Sequence, residues 1–286
     1  MQPIRVVVYG FGVMGRKMAE AVLEKARLEL TGAVDIDDAM VGADPGDFLE
    51  PARRTGLEVQ TPEAAAGPGG VLGRADCVIL TTGSRLRGIE AQIGQCIEAG
   101  ANIVSTCEEL SYPWIRAPET AGRIDRLARE RGVTVVGTGI NPGYLMDTLP
   151  VMLTAPCLSV EKITVTRMMN SARRRIPFQK KVGTGLTPAE FGERIDSGAK
   201  TGHVGLTESM QMIAAGLGWK LDDYTEEAPT PVIADGDTET GVGVVGAGDV
   251  IGLSSRAHAR GGGVERIRLE FHAYAGVQEE YDEVVI

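Results

Sequence analysis

Short apolar runs alternate with segments of helical periodicity through the first half of the chain. The run Ile4 to Tyr9 is short and rich in β-branched residues, which predicts a buried parallel strand. Apolar residues at helical spacing follow it, and the run Leu28 to Val34 predicts the next strand. Further strands are predicted at Asp76 to Leu80, Asn102 to Ser105 and Val133 to Val136, and helices at 86–99 and 118–131. This alternation predicts an α/β, doubly wound parallel sheet.

The pattern changes after Pro150 to long strands and isolated helices. Alternating apolar positions predict strands at Lys162 to Met169, Val242 to Ala259, Val264 to Ala275 and Tyr281 to Ile286, with the last three in an antiparallel sheet. A capping box at Thr187 and an apolar stripe over Leu206 to Leu217 predict two helices. The sequence thus predicts a first domain of residues 1–147 and a C-terminal α+β domain of residues 148–286. We expect the second domain to contribute the contact of a homodimer.

A glycine turn joins the first predicted strand to the first helix. Its glycines, Gly10, Gly12 and Gly15, have the G-x-G-x-x-G spacing, and Asp35 closes the second strand. Gly10 permits the tight turn, Gly12 lets the backbone approach a pyrophosphate, and Gly15 lets the helix pack closely on the sheet. The helix N-terminus then favours phosphate, and Asp35 is placed to accept hydrogen bonds from a ribose. The first domain is therefore predicted to be a Rossmann domain that binds a dinucleotide.

The ends of the other predicted strands complete the expected cofactor site. The residues predicted to contact the dinucleotide are Gly10, Gly12, Val13, Met14, Gly15, Asp35, Thr81, Thr82, Gly83, Ser84, Ser105, Thr106, Asn141 and Gly143. After Asp35 the chain reads Ile36-Asp37-Asp38, with no Arg or Lys to receive a 2′-phosphate. NAD is therefore the expected cofactor, and NADP remains the alternative if a basic residue reaches this point from elsewhere.

Two adjacent carboxylates follow the strand that ends at Ser105. Because the carboxyl ends of parallel strands open onto the ligand crevice, Glu108 and Glu109 are candidates for chemistry. Glu109, if helical, would point in a different direction from Glu108 and cap or pair. The alternative for both residues is an acidic first turn of a helix.

The composition limits the other functions that the chain can have. A net charge of −10 argues against a general nucleic-acid binder and suits a cationic substrate, although an acidic surface also serves solubility. The four cysteines are widely spaced and the three histidines have no metal-ligand spacing, so we expect free thiols in a reducing compartment and no metal site. No apolar run approaches the ~18 residues of a membrane span. We expect a cytoplasmic protein.

A basic run, Arg173 to Lys181, stands out against this acidic background. It holds five cations in nine residues. It is equally compatible with a clamp for a phosphate or carboxylate and with a solvated loop. A nucleic-acid site is less consistent with it, since the run contains a single aromatic residue.

Four segments resemble the 2,4-diaminopentanoate dehydrogenases and the related native amine dehydrogenases, which share a dihydrodipicolinate-reductase-like architecture. These segments are 105–113, 139–150, 179–188 and 202–209, and the resemblance extends over about residues 4–286. It implies NAD(P)-dependent oxidative deamination of an amine, or in reverse reductive amination of a ketone or aldehyde with ammonia. In that family the first glutamate of the strand-end pair is catalytic, which implies Glu108 here. A single carboxylate there can take the ammonium proton, stabilise an iminium and activate water.

The substrate is expected to contact Ile140, Tyr144, Leu145 and Met168. A pocket of these residues is largely apolar and fits a simple alkyl ketone better than a diamino acid, whereas the basic run offers a partner for a substrate carboxylate. Dihydrodipicolinate reductases carry a His-His-x-x-Lys run, and the comparable position here reads 168–172, Met-Met-Asn-Ser-Ala. Relatives usually continue beyond the strand predicted at the C-terminus, with a segment that returns toward the cofactor domain.

Two competing hypotheses remain beside the amine dehydrogenase. One is an imine or enamine reductase of the dihydrodipicolinate type, which the missing histidine pair disfavours. The other is a non-catalytic dinucleotide-binding sensor, which Glu108 beside the cofactor turn disfavours.

Overall fold

The computed structural model describes residues 2–197 and 204–286. The chain divides into two compact units, Met1–Gly139 and Ile140–Ile286, here called the N-terminal and C-terminal units. The boundary predicted after Asp147 therefore falls inside the C-terminal unit. The turn that carries residues 140–147 packs with the second core, whereas the sequence pattern placed it with the strand before it.

The N-terminal unit is built on a six-stranded sheet in the order β3-β2-β1-β4-β5-β6, with all paired strands parallel. Its elements are β1 Ile4–Tyr9, α1 Val13–Leu23, β2 Leu28–Val34, β3 Val59–Gln60, α2 Pro62–Ala66, β4 Cys77–Leu80, α3 Leu86–Glu98, β5 Asn102–Ser105, α4 Pro118–Arg131 and β6 Val135–Gly137. The predicted doubly wound α/β fold is confirmed. The prediction missed β3, a strand of two residues, and placed β6 two residues too early at its start.

Alternate residues of β1 enter two different cores. Val6 and Val8 belong to one buried cluster with Ala19 and Val22 of α1, and Val7 and Tyr9 belong to another with α3. Both faces of the sheet are therefore covered, which explains the continuous apolar run of this strand. Each fully buried valine contributes roughly 1.5–3 kcal/mol of transfer free energy.

The C-terminal unit contains a second six-stranded sheet in the order β14-β7-β13-β12-β8, with β9 also paired to β12. Its elements are α5 Thr148–Leu153, β7 Ile163–Asn170, α6 Ile176–Lys181, α7 Pro188–Asp196, α8 Leu206–Leu217, β8 Asp223–Glu226, β9 Thr230–Ile233, β10 Thr238–Thr240, β11 Gly243–Val245, β12 Val250–Gly261, β13 Val264–Tyr274 and β14 Tyr281–Val285. The predicted α+β domain with a mostly antiparallel sheet is confirmed.

One detail of this sheet corrects the prediction, and a second was not predicted. The single strand expected over Val242 to Ala259 is broken, because a turn from Gly246 to Asp249, with Gly248 at φ +93°, separates β11 from β12. The strands β7 and β13 pair in parallel, and three helices and the strands β8 to β12 lie between them in the chain.

One local prediction is confirmed. The capping box at Thr187 is formed, with Glu190 accepting from the Thr187 amide at 2.8 Å. The basic run is not a plain loop, since its second half forms α6 and both Arg173 and Arg174 pair with Glu280. His203, in the segment before α8, lies outside the described residues. Among the described residues, no helix is long and apolar enough to span a bilayer.

Candidate active site

The glycine turn after β1 has a backbone conformation that side chains at Gly10 or Gly15 would disrupt. Gly10 lies at φ +92°, and its amide donates to the Val34 carbonyl at 2.8 Å. A Cβ on Gly15 would lie 2.0 Å from the Gly10 carbonyl oxygen, whereas a Cβ on Gly12 would meet nothing within 4 Å. Gly15 therefore allows the close packing of α1, and Gly12 leaves the space above the turn open. That open space is what a pyrophosphate requires.

The first turn of α1 is available to an anion. Gly12 is the N-cap residue and provides no side-chain cap, so the helix geometry leaves the amides of this turn without partners in the helix. Val13 and Met14 follow it and are 52% and 41% exposed. The positive end of the helix dipole favours a phosphate at this position.

Asp35 fixes the end of β2 against the glycine turn. Its carboxylate accepts from the Phe11 amide and, at 2.7 and 3.0 Å, from the amides of Ile36 and Asp37. The carboxylate is thus held by three backbone donors at the point where the sequence predicts the ribose. The contact from Phe11 was not predicted. The glycine motif gives no sign of it, because the backbone amide of Phe11 and not its side chain makes the hydrogen bond.

Five of the predicted cofactor residues meet in one cleft of about 270 Å³, whereas Val13, Met14, Gly15, Gly83 and Ser84 do not line it. The cleft is lined by Gly10, Gly12, Asp35, Thr81 and Thr82, together with Tyr9, Ile36 and Gln92, which the sequence did not predict. Thr81 binds the turn, since its hydroxyl donates to the Gly10 carbonyl at 2.6 Å. Gln92 lies on α3 and accepts from the Thr82 hydroxyl, a contact with no signal in the sequence pattern. The donor set and the open space at Gly12 fit a dinucleotide.

The ends of β4 and β5 are tied together by one buried serine. The Ser105 hydroxyl donates to the Leu80 carbonyl and accepts from the Cys107 amide, both at 3.1 Å. The Thr106 amide also donates to the Leu80 carbonyl at 3.1 Å. Because Ser105 is fully buried, its side chain has a structural role, and its predicted contact with the cofactor stays a prediction.

Glu108 begins a single 3₁₀ turn, Glu108–Ser111, directly after β5. Its side chain is partly exposed, and none of the described residues makes a hydrogen bond or ion pair with the carboxylate. The thiol of Cys107, the residue before it, is buried, and burial raises the pKa of that thiol to about 12. The Cys107 thiol therefore stays protonated near neutral pH.

Glu109 has a different environment. Its side chain is 13% exposed and accepts from the Leu86 amide at 2.8 Å and from Arg85 Nη1 at 2.9 Å. The expectation that this residue caps or pairs is met, since it does both. The two neighbouring acids therefore differ, since Glu109 is bound to the start of α3 and the Glu108 carboxylate has no partner among the described residues.

In the C-terminal unit, the segment that follows Ile140 forms a tight turn around a buried acid. Asp147 is fully buried and accepts from the Gly143 amide, the Thr148 amide and the Ser209 hydroxyl at 2.8, 2.6 and 2.7 Å. The side-chain Oδ1 of Asn141 is buried and has no hydrogen-bond partner among the described residues. An unsatisfied buried acceptor is costly, and the predicted contact of Asn141 with the cofactor stays a prediction. Asp147 was not predicted as a site residue.

The residues predicted to contact substrate have unequal environments. Ile140 and Tyr144 are 61% and 46% exposed, whereas Leu145 packs against the core around Met146. Met168 pairs in register with His272, on the face of the sheet opposite to Val165. The structure does not bring Leu145 and Met168 onto one face of that sheet. Their common role stays a prediction.

The neighbour of Met168, Arg167, was not predicted as a functional residue. Its side chain is 14% exposed, and its Nε lies 3.4 Å from Asp282 Oδ1 without a hydrogen bond. Burial lowers the pKa of this guanidinium, and the charge of Arg174 lowers it further against the effects of Asp282 and Glu280. An arginine with an unused buried donor is a candidate for binding an anion.

Comparisons with known proteins agree with these features. The sequence profile of the 2,4-diaminopentanoate dehydrogenase C-terminal domain matches residues 144–281. The 2,4-diaminopentanoate dehydrogenase of Acetoanaerobium sticklandii is 34% identical over 273 residues, which cover 94% of this chain and 76% of the relative. An amine dehydrogenase of Streptomyces virginiae is 24% identical over 248 residues, covering 86% of this chain and 68% of that protein.

Solved structures give the same picture. The amine dehydrogenase of Mycobacterium smegmatis superposes with a TM-score of 0.81 at 26% identity, covering 98% of this chain and 82% of that chain. GenD2 of gentamicin A biosynthesis, solved in complex with NAD, has a TM-score of 0.58 at 18% identity, covering 99% of this chain and 69% of that chain, and shows a shared fold. On the sequence identity and its coverage, the chain belongs to the 2,4-diaminopentanoate dehydrogenase family of NAD(P)-dependent oxidoreductases.

Proposed function

We propose that this chain catalyses the NAD-dependent oxidative deamination of a primary amine and, in reverse, the reductive amination of a ketone or aldehyde with ammonia. The observation that carries the proposal is the free carboxylate of Glu108 at the carboxyl end of β5. It follows the strand next to β4, whose end contributes Thr81 and Thr82 to the dinucleotide cleft. A base at this edge of the sheet serves a substrate beside the nicotinamide.

The proposed chemistry uses one carboxylate in several roles. The amine must be neutral, because its lone pair assists the departure of hydride, so Glu108 first takes a proton from the substrate ammonium. The nicotinamide of a bound dinucleotide supplies the hydride acceptor. The negative charge of Glu108 stabilises the resulting iminium. After releasing the first proton to solvent, Glu108 takes a proton from the water that adds to the iminium carbon, and ammonia then leaves.

The cofactor preference follows from the end of β2. Asp35 is followed by Asp37 and Asp38, and no Arg or Lys stands in this stretch. A 2′-phosphate would meet these carboxylates, whereas ribose hydroxyls would donate to Asp35. We expect NADPH to bind at least about tenfold more weakly than NADH, as titration of protein fluorescence with each dinucleotide can measure. Equal affinity for both would reject the preference for NAD.

The substrate class rests on Arg167. Apolar residues at Ile140 and Tyr144 suit a simple alkyl amine, but the mostly buried guanidinium of Arg167, whose Nε makes no hydrogen bond although it faces Asp282, favours a substrate that carries a carboxylate. The 34% identical relative is named for such a substrate, 2,4-diaminopentanoate. We therefore propose a diamino acid of this kind as the first substrate to test, with alkyl amines as the second.

The direct test follows NADH formation with 2,4-diaminopentanoate and with simple alkyl amines. Glu108→Gln keeps the shape of the side chain and removes the base, so kcat should fall by about 10²- to 10⁴-fold while NADH affinity stays within about twofold. Glu119→Gln, the same change at an exposed position at the start of α4, is the matched control.

Two outcomes would contradict the proposal. Wild-type turnover in Glu108→Gln would reject the role of this carboxylate. Tight NADH binding without turnover of any amine would favour the non-catalytic sensor instead.

A further inference from the structure

Glu109 makes three contacts with residues 84–86, the segment that leads into α3. Its carboxylate binds the Leu86 amide at 2.8 Å and Arg85 Nη1 at 2.9 Å, and its own amide donates to the Ser84 carbonyl at 3.3 Å. Leu86 is the first residue of α3, and the N-cap residue Arg85 provides no side-chain cap of its own. Glu109 therefore caps α3 from outside that helix, where a negative charge is stabilised by the helix dipole.

The segment that Glu109 holds continues the strand-end loop of β4. Thr81 and Thr82 of this loop line the dinucleotide cleft, and Gly83 and Ser84 connect them to the residues that Glu109 binds. Glu109 itself belongs to the 3₁₀ turn that begins at Glu108. One side chain thus joins the turn of the proposed base to the loop predicted to contact the cofactor.

The opposite side of the 3₁₀ turn is also fixed. The Leu110 amide donates to the Cys107 carbonyl at 3.1 Å, and a Cβ on Gly137 of β6 would lie 2.4 Å from the Leu110 carbonyl carbon. The turn is therefore packed against β6 on one side and anchored by Glu109 to α3 on the other. Glu108, whose carboxylate has no partner among the residues that the structure describes, depends on these supports for its position.

We propose that Glu109 is a positioning residue, which sets the place of the Glu108 carboxylate relative to the cofactor loop by clamping the β5 turn onto the N-terminus of α3. This inference rests on the proposed role of Glu108 as the base. Misplacement of a reacting group by about 1 Å costs on the order of 100-fold in rate, so the clamp bears directly on turnover.

The test compares Glu109→Ala, Glu109→Gln and Arg85→Gln in the full chain. Glu109→Ala removes both side-chain contacts, and we expect kcat to fall by about 10- to 100-fold and NADH to bind more weakly. Glu109→Gln keeps an oxygen for the Leu86 amide and should restore kcat to within about threefold, since the exposed Arg85 pair contributes little. Arg85→Gln should behave like Glu109→Gln.

The matched control is Glu90→Ala. Glu90 also forms an ion pair on α3, at 2.7 Å from Arg123, but does not touch the 3₁₀ turn. Melting temperature, NADH affinity and the pH profile of kcat/KM are measured for every variant. We expect Glu109→Ala to lower kcat and the affinity for NADH and to leave the acidic limb of the kcat/KM profile unchanged. This result would support a positioning role for Glu109.

Other results overturn the inference. If Glu109→Ala lowers the melting temperature as Glu90→Ala does but leaves kcat and NADH affinity intact, Glu109 has only a structural role. If Glu109→Ala removes the acidic limb, Glu109 is itself the base. Full activity in Glu108→Gln would reject the proposed function, and this result is independent of the Glu109 variants.

Discussion

The two units hold their candidate site residues in different ways. In the N-terminal unit the backbone dominates, since Gly15 touches Gly10 directly and Asp35 is bound by three amides. In the C-terminal unit charged side chains hold the site residues, with Asp147 fully buried in the turn after Ile140 and Arg167, 14% exposed, on β7. The backbone arrangement of the N-terminal unit leaves room for a dinucleotide, a ligand common to many enzymes. The charged side chains of the C-terminal unit can select a substrate. The following predictions test this contrast.

The largest effect is expected at Gly15. In Gly15→Ala the new Cβ would overlap the Gly10 carbonyl oxygen, so α1 must move away from the sheet, which should cost several kcal/mol of stability and abolish NADH binding. Gly12→Ala is the matched control, because its Cβ meets open space. It should fold with wild-type stability and still bind NADH more weakly, as denaturation and fluorescence titration would show. Equal stability of the two variants would contradict the backbone account.

The next effect concerns Arg167. Arg167→Met keeps much of the side-chain volume and removes the charge, so we expect kcat/KM for 2,4-diaminopentanoate to fall by about 100-fold and that for alkyl amines to change little. Arg256→Met, which removes an exposed partner of Glu270 outside the basic run, is the control. Equal losses for both kinds of amine would show that Arg167 serves the fold and not the substrate.

A smaller effect is expected at Asp147. In Asp147→Asn an amide NH₂ replaces one acceptor oxygen, so one of the three donors to this carboxylate loses its partner in a buried site. Such a loss costs about 1–3 kcal/mol, which chemical denaturation can measure. Ser209→Ala removes a single hydrogen bond and should cost less. A more stable Asp147→Asn would mean that burial of the charge outweighs its hydrogen bonds.

The smallest effect concerns a surface loop of the N-terminal unit. Partial burial raises the pKa of Asp44, but hydrogen bonds from Thr55, Gly46 and Gly56 outweigh it and lower this pKa to about 2. Because the folded pKa lies below the unfolded value, the carboxylate stabilises the fold above about pH 4, and this contribution is lost as the pH falls toward 2. Asp44→Asn should therefore narrow the difference between melting temperatures at pH 6 and pH 3. An unchanged difference would show that other carboxylates control the acid response.

The local sequence pattern determined much of the secondary structure of this protein. The β-branched run of β1, the glycine spacing after it and the proline at the start of α7 each define a backbone state through near neighbours in the chain. For that reason β1, β2 and α8 have the bounds that the sequence predicts. The dinucleotide turn and the pair Glu108-Glu109 were also found from residues that adjoin in sequence, and the family resemblance then selected Glu108.

Tertiary structure decided which side chains support these residues. Glu109 caps a helix 23 residues earlier, Gln92 binds Thr82 across the cleft, and β7 finds a parallel partner about a hundred residues later in the chain. Such contacts leave no periodicity, because their cost in chain entropy is offset only when the whole unit has folded. The sequence thus determined the fold class and the candidate base, and the packed structure decided what holds that base in place.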